Sequence, residues 1–184
     1  MKNILILTFL SFSCLIGFPA LAQGQEPEFP KLDMSPMDLA TATTPEGETV
    51  ARVIYGRPQK RGREIFGKLV PYGEVWRTGA NEASELTLFQ DMRVGGETIE
   101  AGSYSFFTIP QEHEWTIILN KKINTWGAYE YQVQQDRARI KVPVRKLNNP
   151  LETLSMLFEP TDQGVTLKLG WDDRYVEVPF EYVQ

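Results

Sequence analysis

The sequence predicts an all-β fold, an antiparallel β-sandwich of jelly-roll or immunoglobulin-like type. Short runs of alternating apolar and polar residues recur along the chain, with turn-forming residues between them. No stretch shows the sustained i, i+3, i+4 apolar spacing of an amphipathic helix. A segment rich in glycine and arginine, Tyr55 to Glu82, interrupts the strands. Because it also carries many large apolar side chains, it predicts a long ordered loop rather than a disordered one.

Period-two alternation begins at Val50 and leads directly into this loop. The predicted strands cover residues 50–55, 86–89, 93–98 as a hairpin, 104–109, 115–119, 129–133, 140–144, 154–158, 165–169 and 175–180. Gly95 and Gly96 supply the positive φ angles of a tight hairpin turn. Residues 35–38 suggest the beginning of a short edge segment or a turn, and residues 41–48 suggest a loop, while helix is limited to one turn near Phe66 or Leu151. Pro179 predicts a sheet edge or a strand end.

The first 22 residues have the layout of an export signal. Lys2 precedes an apolar run, and Ala20-Leu21-Ala22 fits the small-x-small cleavage rule. We expect residues 23–34 to form a flexible tether and residues 35–184 a single domain in the periplasm or outside the cell. No later stretch reaches the roughly 20 apolar residues of a membrane span. The single cysteine, Cys14, lies in the signal, so the domain depends on its apolar core rather than on disulfides.

Charge is distributed unevenly along the chain. The formal net charge is -5, which argues against nonspecific nucleic-acid binding. Residues 51–80 nevertheless carry an excess of basic side chains: Arg52, Arg57, Lys60, Arg61, Arg63, Lys68 and Arg77. This basic island predicts either an anionic ligand or internal pairing with the protein's own carboxylates.

Several kinds of chemistry are disfavoured by what the sequence lacks. The single histidine, His113, lies in a polar turn, so a histidine-assisted nucleophile is not indicated. The histidine and cysteine counts exclude the usual zinc site. The glycines of the loop are not followed by a helix, so they do not form a phosphate-binding loop of Walker or dinucleotide type. The sequence predicts neither a cofactor nor a metal.

The candidate ligand site lies in the Gly/Arg-rich loop. Arg57, Arg63 and Arg77 offer planar donor groups suited to carboxylate, phosphate or sulfate. Tyr72 and Trp76 provide flat faces for a sugar or aromatic ligand, and Asn81 and Glu82 add directional hydrogen bonds. The alternative interpretation is purely structural: the aromatic residues plug the core and the arginines pair with Glu64, Glu74 and Glu82.

These residues favour a noncatalytic binding module for an anionic or carbohydrate-like ligand. A hydrolase of glycosidase type is the second hypothesis, with Glu82 as a catalytic carboxylate, because two acidic side chains suffice for that reaction. A structural envelope or interaction protein is the third.

The run Trp76-Arg77-Thr78-Gly79-Ala80-Asn81-Glu82 also resembles a known family. Together with Tyr55-Gly56-Arg57-Pro58, Ala101-Gly102-Ser103-Tyr104 and Trp126-Gly127-Ala128-Tyr129, it is similar to the exported bacterial family known as domain of unknown function 2911. The resemblance covers most of the chain after the signal. It implies an exported single-domain protein, and it brings no established activity, substrate or catalytic residue.

Overall fold

A computed structural model describes residues 26–183. The predicted export signal lies outside the described residues, as does the start of the predicted tether. Residues 26–31 are exposed and have no regular secondary structure, and the described residues from Leu32 onward form one compact unit. No helix among the described residues is long and apolar enough to cross a membrane.

Within residues 26–183, ten strands form two antiparallel sheets that pack face to face, which confirms the predicted sandwich. The strands are β1 (Met37–Thr43), β2 (Thr49–Gly56), β3 (Ser84–Leu88), β4 (Met92–Val94), β5 (Glu97–Ile99), β6 (Gly102–Ile109), β7 (Glu114–Asn120), β8 (Asp136–Pro143), β9 (Arg145–Thr161) and β10 (Gly164–Tyr182). The larger sheet has the order β1-β2-β3-β6-β7-β8, and the smaller has the order β5-β4-β10-β9. The predicted Gly95-Gly96 turn joins β4 to β5, with φ angles of 59° and 88°.

The core lies between the sheets and contains an aromatic cluster. Trp76 stacks on Trp171 with ring centres 6.0 Å apart, and both lie edge-on to Phe66. Trp115 packs against Phe66 at 4.9 Å and is fully buried. Residues of the Gly/Arg-rich loop therefore fill one part of the sandwich interior. Such burial of large aromatic surface stabilises the fold strongly and fixes the loop in one conformation.

β10 is one strand where the sequence predicts two. Leu167, Leu169 and Trp171 face the core on odd positions, whereas Val176 and Val178 face it on even positions. Two register shifts around Asp172 absorb this change of phase, and Asp172 itself has a φ of 53°. A bulge of this kind keeps apolar side chains inward while the strand bends.

Several local predictions are wrong. Residues 37–43 form the edge strand β1, so the predicted loop begins later than expected. The predicted helical turn near Leu151 is part of β9, which has 17 residues and continues through Pro150. Pro150 is tolerated because β9 is an edge strand of its sheet.

Residues 129–133 do not form a strand. They belong to a segment, residues 121–135, that folds over the outer face of the larger sheet and is called here the cover segment. Its carbonyl groups accept hydrogen bonds from the sheet, at Lys122 from the Ser105 hydroxyl (2.7 Å) and at Gln132 from the Asn120 amide (3.0 Å). Of residues 129–133, Tyr131 alone is half-buried, with its ring edge-on to Phe107, so the alternating sequence does not mark a paired strand.

Candidate functional site

Arg57 is committed to the protein itself. Its Nη1 donates to the carboxylate of Asp38 at 2.8 Å, and its Nε donates to the carbonyl oxygen of Leu154 at 3.1 Å. Its Nη2 donates to the Ser155 hydroxyl at 2.9 Å. Arg57 therefore ties β1 to β9, and its carboxylate partner is Asp38 rather than one of the glutamates that the structural interpretation named.

The other two predicted arginines do not join Arg57. The guanidinium of Arg63 folds back on its own loop, where it donates to the carbonyl oxygens of Lys60 (2.9 Å) and Gln59 (2.6 Å). Arg77 is half-buried, and its buried Nε has no hydrogen-bond partner among the described residues. The three heads have separate surroundings, so the structure does not show the convergent arginine cluster that the sequence suggested.

The two predicted aromatic faces also have structural surroundings. Trp76 is 9% exposed and stacks within the core cluster, so the expectation of a ligand-stacking wall at this residue is wrong. Tyr72 is half-buried against Gly67, where an added Cβ would lie 2.9 Å from its ring. The Arg174 guanidinium lies 5.8 Å from the Tyr72 ring centre. Burial raises the pKa of Tyr72 above its ordinary value.

Asn81 and Glu82, by contrast, line an open cavity of about 310 Å³. The lining residues are Asp33, Ser35, Met37, Gly56, Ala80, Asn81, Glu82 and Trp126. Small residues form the floor of the cavity and polar side chains surround it. The indole of Trp126, which is 60% exposed, lies at one side. An apolar wall with a few directional polar groups is the usual composition of a small-ligand site.

The turn that carries Asn81 is tightly constrained. Thr78 has a φ of 58°, which is a strained conformation for a β-branched residue. Its buried hydroxyl lies 3.1 Å from the Thr108 hydroxyl, and its carbonyl accepts a hydrogen bond from the Ser84 hydroxyl at 2.8 Å. Asn81 also has a positive φ, 61°. Strained residues that persist in a well-packed setting tend to mark functional sites.

Glycine at position 56 lets this turn approach β2. A Cβ on Gly56 would lie 2.4 Å from the carbonyl oxygen of Ala80, far inside contact distance. The reciprocal contact involves Gly79, whose Cβ would lie 3.1 Å from the carbonyl oxygen of Gly56. These two contacts explain why positions 56 and 79 are glycine, and they place the floor of the cavity.

The cover segment supplies the opposite wall. A β-bridge joins Glu82 to Trp126, and the amide of Gly127 donates to the carbonyl oxygen of Asn81 at 3.0 Å. The amide of Ala83 donates to the carbonyl oxygen of Thr125 at 2.9 Å. Trp126 is thus held by backbone hydrogen bonds on both sides, which fixes an exposed indole beside the cavity.

The electrostatic character of the cavity differs from the sequence expectation. Asp33 and Glu82 bring carboxylates to it, and its lining residues include neither lysine nor arginine. One carboxylate oxygen of Asp33 accepts hydrogen bonds from the Ser35 amide (2.7 Å) and the Asn81 side chain (3.2 Å). Within residues 26–183, no group of histidine, cysteine or acidic side chains is arranged to hold a metal ion. Carboxylate, amide and hydroxyl groups beside an indole can hydrogen-bond and stack against a hydroxyl-rich ring.

A match to one protein family covers the strands and the Gly/Arg-rich loop. The profile of the family described as protein of unknown function (DUF2911) matches residues 35–180. The chain belongs to this family. The matched range of DUF2911 contains every residue lining the cavity except Asp33. No curated protein and no solved structure matches the chain.

Sequence reasoning missed the residues that complete the cavity, above all Trp126. The signal that could have identified Trp126 is the glycine that follows it, Gly127, which indicates a turn in the segment before the predicted strand 129–133. Gly127 has a φ of 64°, so a turn there exposes the indole. Asp33 and Ser35 were missed because they lie far from Asn81 along the chain and only the fold brings them together.

Proposed function

We propose that this protein is an exported, noncatalytic carbohydrate-binding module, and that a sugar ring stacks on Trp126 in the cavity bordered by Asn81 and Glu82. The exposed indole at a preformed cavity is the observation that carries the proposal. Export is proposed from the signal-like N-terminus alone.

The residue types around the cavity favour a hydroxyl-rich ligand. An indole face packs against the apolar C–H face of a sugar ring, while carboxylate and amide side chains accept and donate hydrogen bonds at its edge. The backbone bonds around Trp126 and the constrained turn at Thr78 hold these groups before any ligand arrives. Preorganisation of this kind lowers the ordering cost of binding.

Glycoside hydrolysis is the second candidate, because two carboxylates, Asp33 and Glu82, line the same cavity. Such enzymes use one acidic side chain on each side of the scissile bond. One oxygen of Asp33 is already engaged by Ser35 and Asn81, which favours a structural role for this carboxylate. Binding without turnover is therefore the leading proposal.

The test is isothermal titration of the purified domain with defined oligosaccharides, combined with an assay for newly released reducing ends. Trp126→Ala is expected to weaken binding about tenfold or more, since a lost stacking contact of about 1.4 kcal/mol gives that factor. Tyr129→Ala is the matched control, because Tyr129 is an 86% exposed aromatic residue of the same segment that does not line the cavity.

Three results would change the conclusion. Equal affinities for wild type, Trp126→Ala and Tyr129→Ala would remove the stacking site. Release of reducing ends that stops in Glu82→Gln would replace the binding module with the hydrolase. Absence of binding across the oligosaccharide panel would reject both candidates.

A further inference from the structure

The outer face of the larger sheet continues from the cavity along β1, β2 and β3. Met37 is paired with Gly56 at the cavity, and the next outward-facing pair on the same two strands is Leu39 with Ile54. Beyond them Arg52 lies between Thr41 on one neighbouring strand and Thr87 on the other. Side chains two residues apart on a strand share one face. This face therefore forms a continuous surface from Trp126 to Arg52.

This surface is open where it leaves the cavity. Met37 is 56% exposed and Leu39 is 54% exposed, and Thr41 is also exposed. The cover segment lies over β6 and β7, where it buries Phe107 and Ile118, and so leaves the β1–β3 part of the face free. A ligand that fills the cavity can extend along these strands.

Arg52 belongs to the basic island and lies on this face of the sheet. Its guanidinium carbon lies 5.5 Å from the centre of the Phe89 ring, which is 48% exposed. None of the ion pairs formed within residues 26–183 includes Arg52, and its buried Nε has no hydrogen-bond partner there. The aromatic face holds the cation in place without using its donors. A planar guanidinium in this situation suits a carboxylate.

We propose that the ligand is a linear acidic glycan, which stacks one sugar on Trp126 and places a uronic acid carboxylate on Arg52. Gly56 at the cavity and Arg52 are four residues apart on β2, so roughly 13 Å separates the two ends. One sugar ring cannot span that distance, and a chain of several sugars can. This inference rests on the proposed function.

The experiment compares matched ligands by isothermal titration. The probes are hexamers of galacturonate, mannuronate and guluronate. Each hexamer is compared with its reduced form, in which the carboxyl groups have been converted to alcohols, and with the corresponding monosaccharide. At least one uronate hexamer is expected to bind about tenfold or more tightly than its reduced form, the factor that one charge-assisted hydrogen bond supplies. The monosaccharides are expected to bind more weakly than either hexamer.

Arg52→Gln is expected to abolish the preference for the acidic hexamer and to leave affinity for the reduced hexamer unchanged. Lys141→Gln is the matched control, because it removes the same charge from an exposed position on β8, the edge of the sheet opposite β1. It should leave the preference intact. Circular dichroism and melting curves establish that both variants are folded.

The outcomes separate the two proposals. The acidic-glycan inference is overturned, and the carbohydrate module kept, if reduced hexamers bind through Trp126 and no uronate hexamer is preferred over its reduced form. A preference for a uronate hexamer that survives Arg52→Gln has the same consequence. Equal affinity for monosaccharide and hexamer overturns the extended site. Absence of binding to every probe overturns both.

Discussion

Replacement of Gly56 by alanine perturbs the floor of the cavity directly. The new Cβ would lie 2.4 Å from the carbonyl oxygen of Ala80, where ordinary contact begins at 3.4 Å, so about 1 Å of movement is required. The obstacle is backbone rather than a flexible side chain, since the Ala80 nitrogen also lies close, at 3.1 Å. The turn that carries Asn81 must therefore shift away from β2.

The expected cost follows from overpacking. Such insertions cost about 1–3 kcal/mol, whereas the reduced freedom of the unfolded chain returns only about 0.4–1 kcal/mol. The difference between these two free energies is a net destabilisation. It should lower the melting temperature by several degrees, since 1 kcal/mol corresponds to roughly 2–4 °C in a domain of this size. Oligosaccharide affinity should fall as well, because Ala80 and Asn81 line the cavity.

Gly170→Ala is the control for this prediction. Neither Gly56 nor Gly170 has a positive φ, so neither substitution is strained by backbone conformation. The Cβ at Gly170 would meet the flexible tip of Leu151 at 3.0 Å and the Cβ of Tyr175 at 3.3 Å, rather than a carbonyl oxygen. Differential scanning calorimetry should show a larger loss for Gly56→Ala. Equal melting temperatures for the two variants, with unchanged ligand affinity for both, would refute the close approach of the turn to β2.

Two further predictions concern the cover segment and the bend of β10. Burial, reinforced by the hydrogen bond that its hydroxyl donates to Asp136 at 2.6 Å, raises the pKa of Tyr131 from 10.0 to about 12. The unfolded chain therefore loses this proton at lower pH than the folded protein does, so the free energy of unfolding should decrease as pH rises from 10 to 12. Chemical denaturation of Tyr131→Phe should show a weaker dependence of this free energy on pH. Gly164→Ala would place a Cβ 2.0 Å from the carbonyl oxygen of Phe180, so we expect a marked fall in melting temperature, and an unchanged one would contradict the contact between the two ends of β10.

The strands were predictable because their pattern is local. Alternation of apolar and polar residues identifies β2, and two consecutive glycines identify the β4–β5 turn, without knowledge of any distant residue. β9 and β10 were underestimated for the same reason. The change of phase around Asp172 looks locally like a gap between strands, and Pro150 looks like a loop, although both lie within continuous strands.

The candidate site was predictable only in part because its geometry is nonlocal. The constrained run ending at Asn81 and Glu82 was identified from its composition, and both residues line the cavity. The partners of Arg57 lie on β1 and β9, and those of Trp76 lie across the sandwich, so the sequence could not show that these side chains were already engaged. Arg52 looked like an ordinary strand residue, since its environment depends on Phe89.

Acrylamide quenching of tryptophan fluorescence tests the central claim most directly. Of the four tryptophans, Trp76, Trp115 and Trp171 are at most 9% exposed, whereas Trp126 is 60% exposed, so collisional quenching reports mainly on the cavity. Saturation with a bound oligosaccharide should lower the quenching constant to nearly that of Trp126→Ala, because the sugar covers the indole. A quenching constant that is unchanged at saturation would show that the ligand binds elsewhere and would contradict the account.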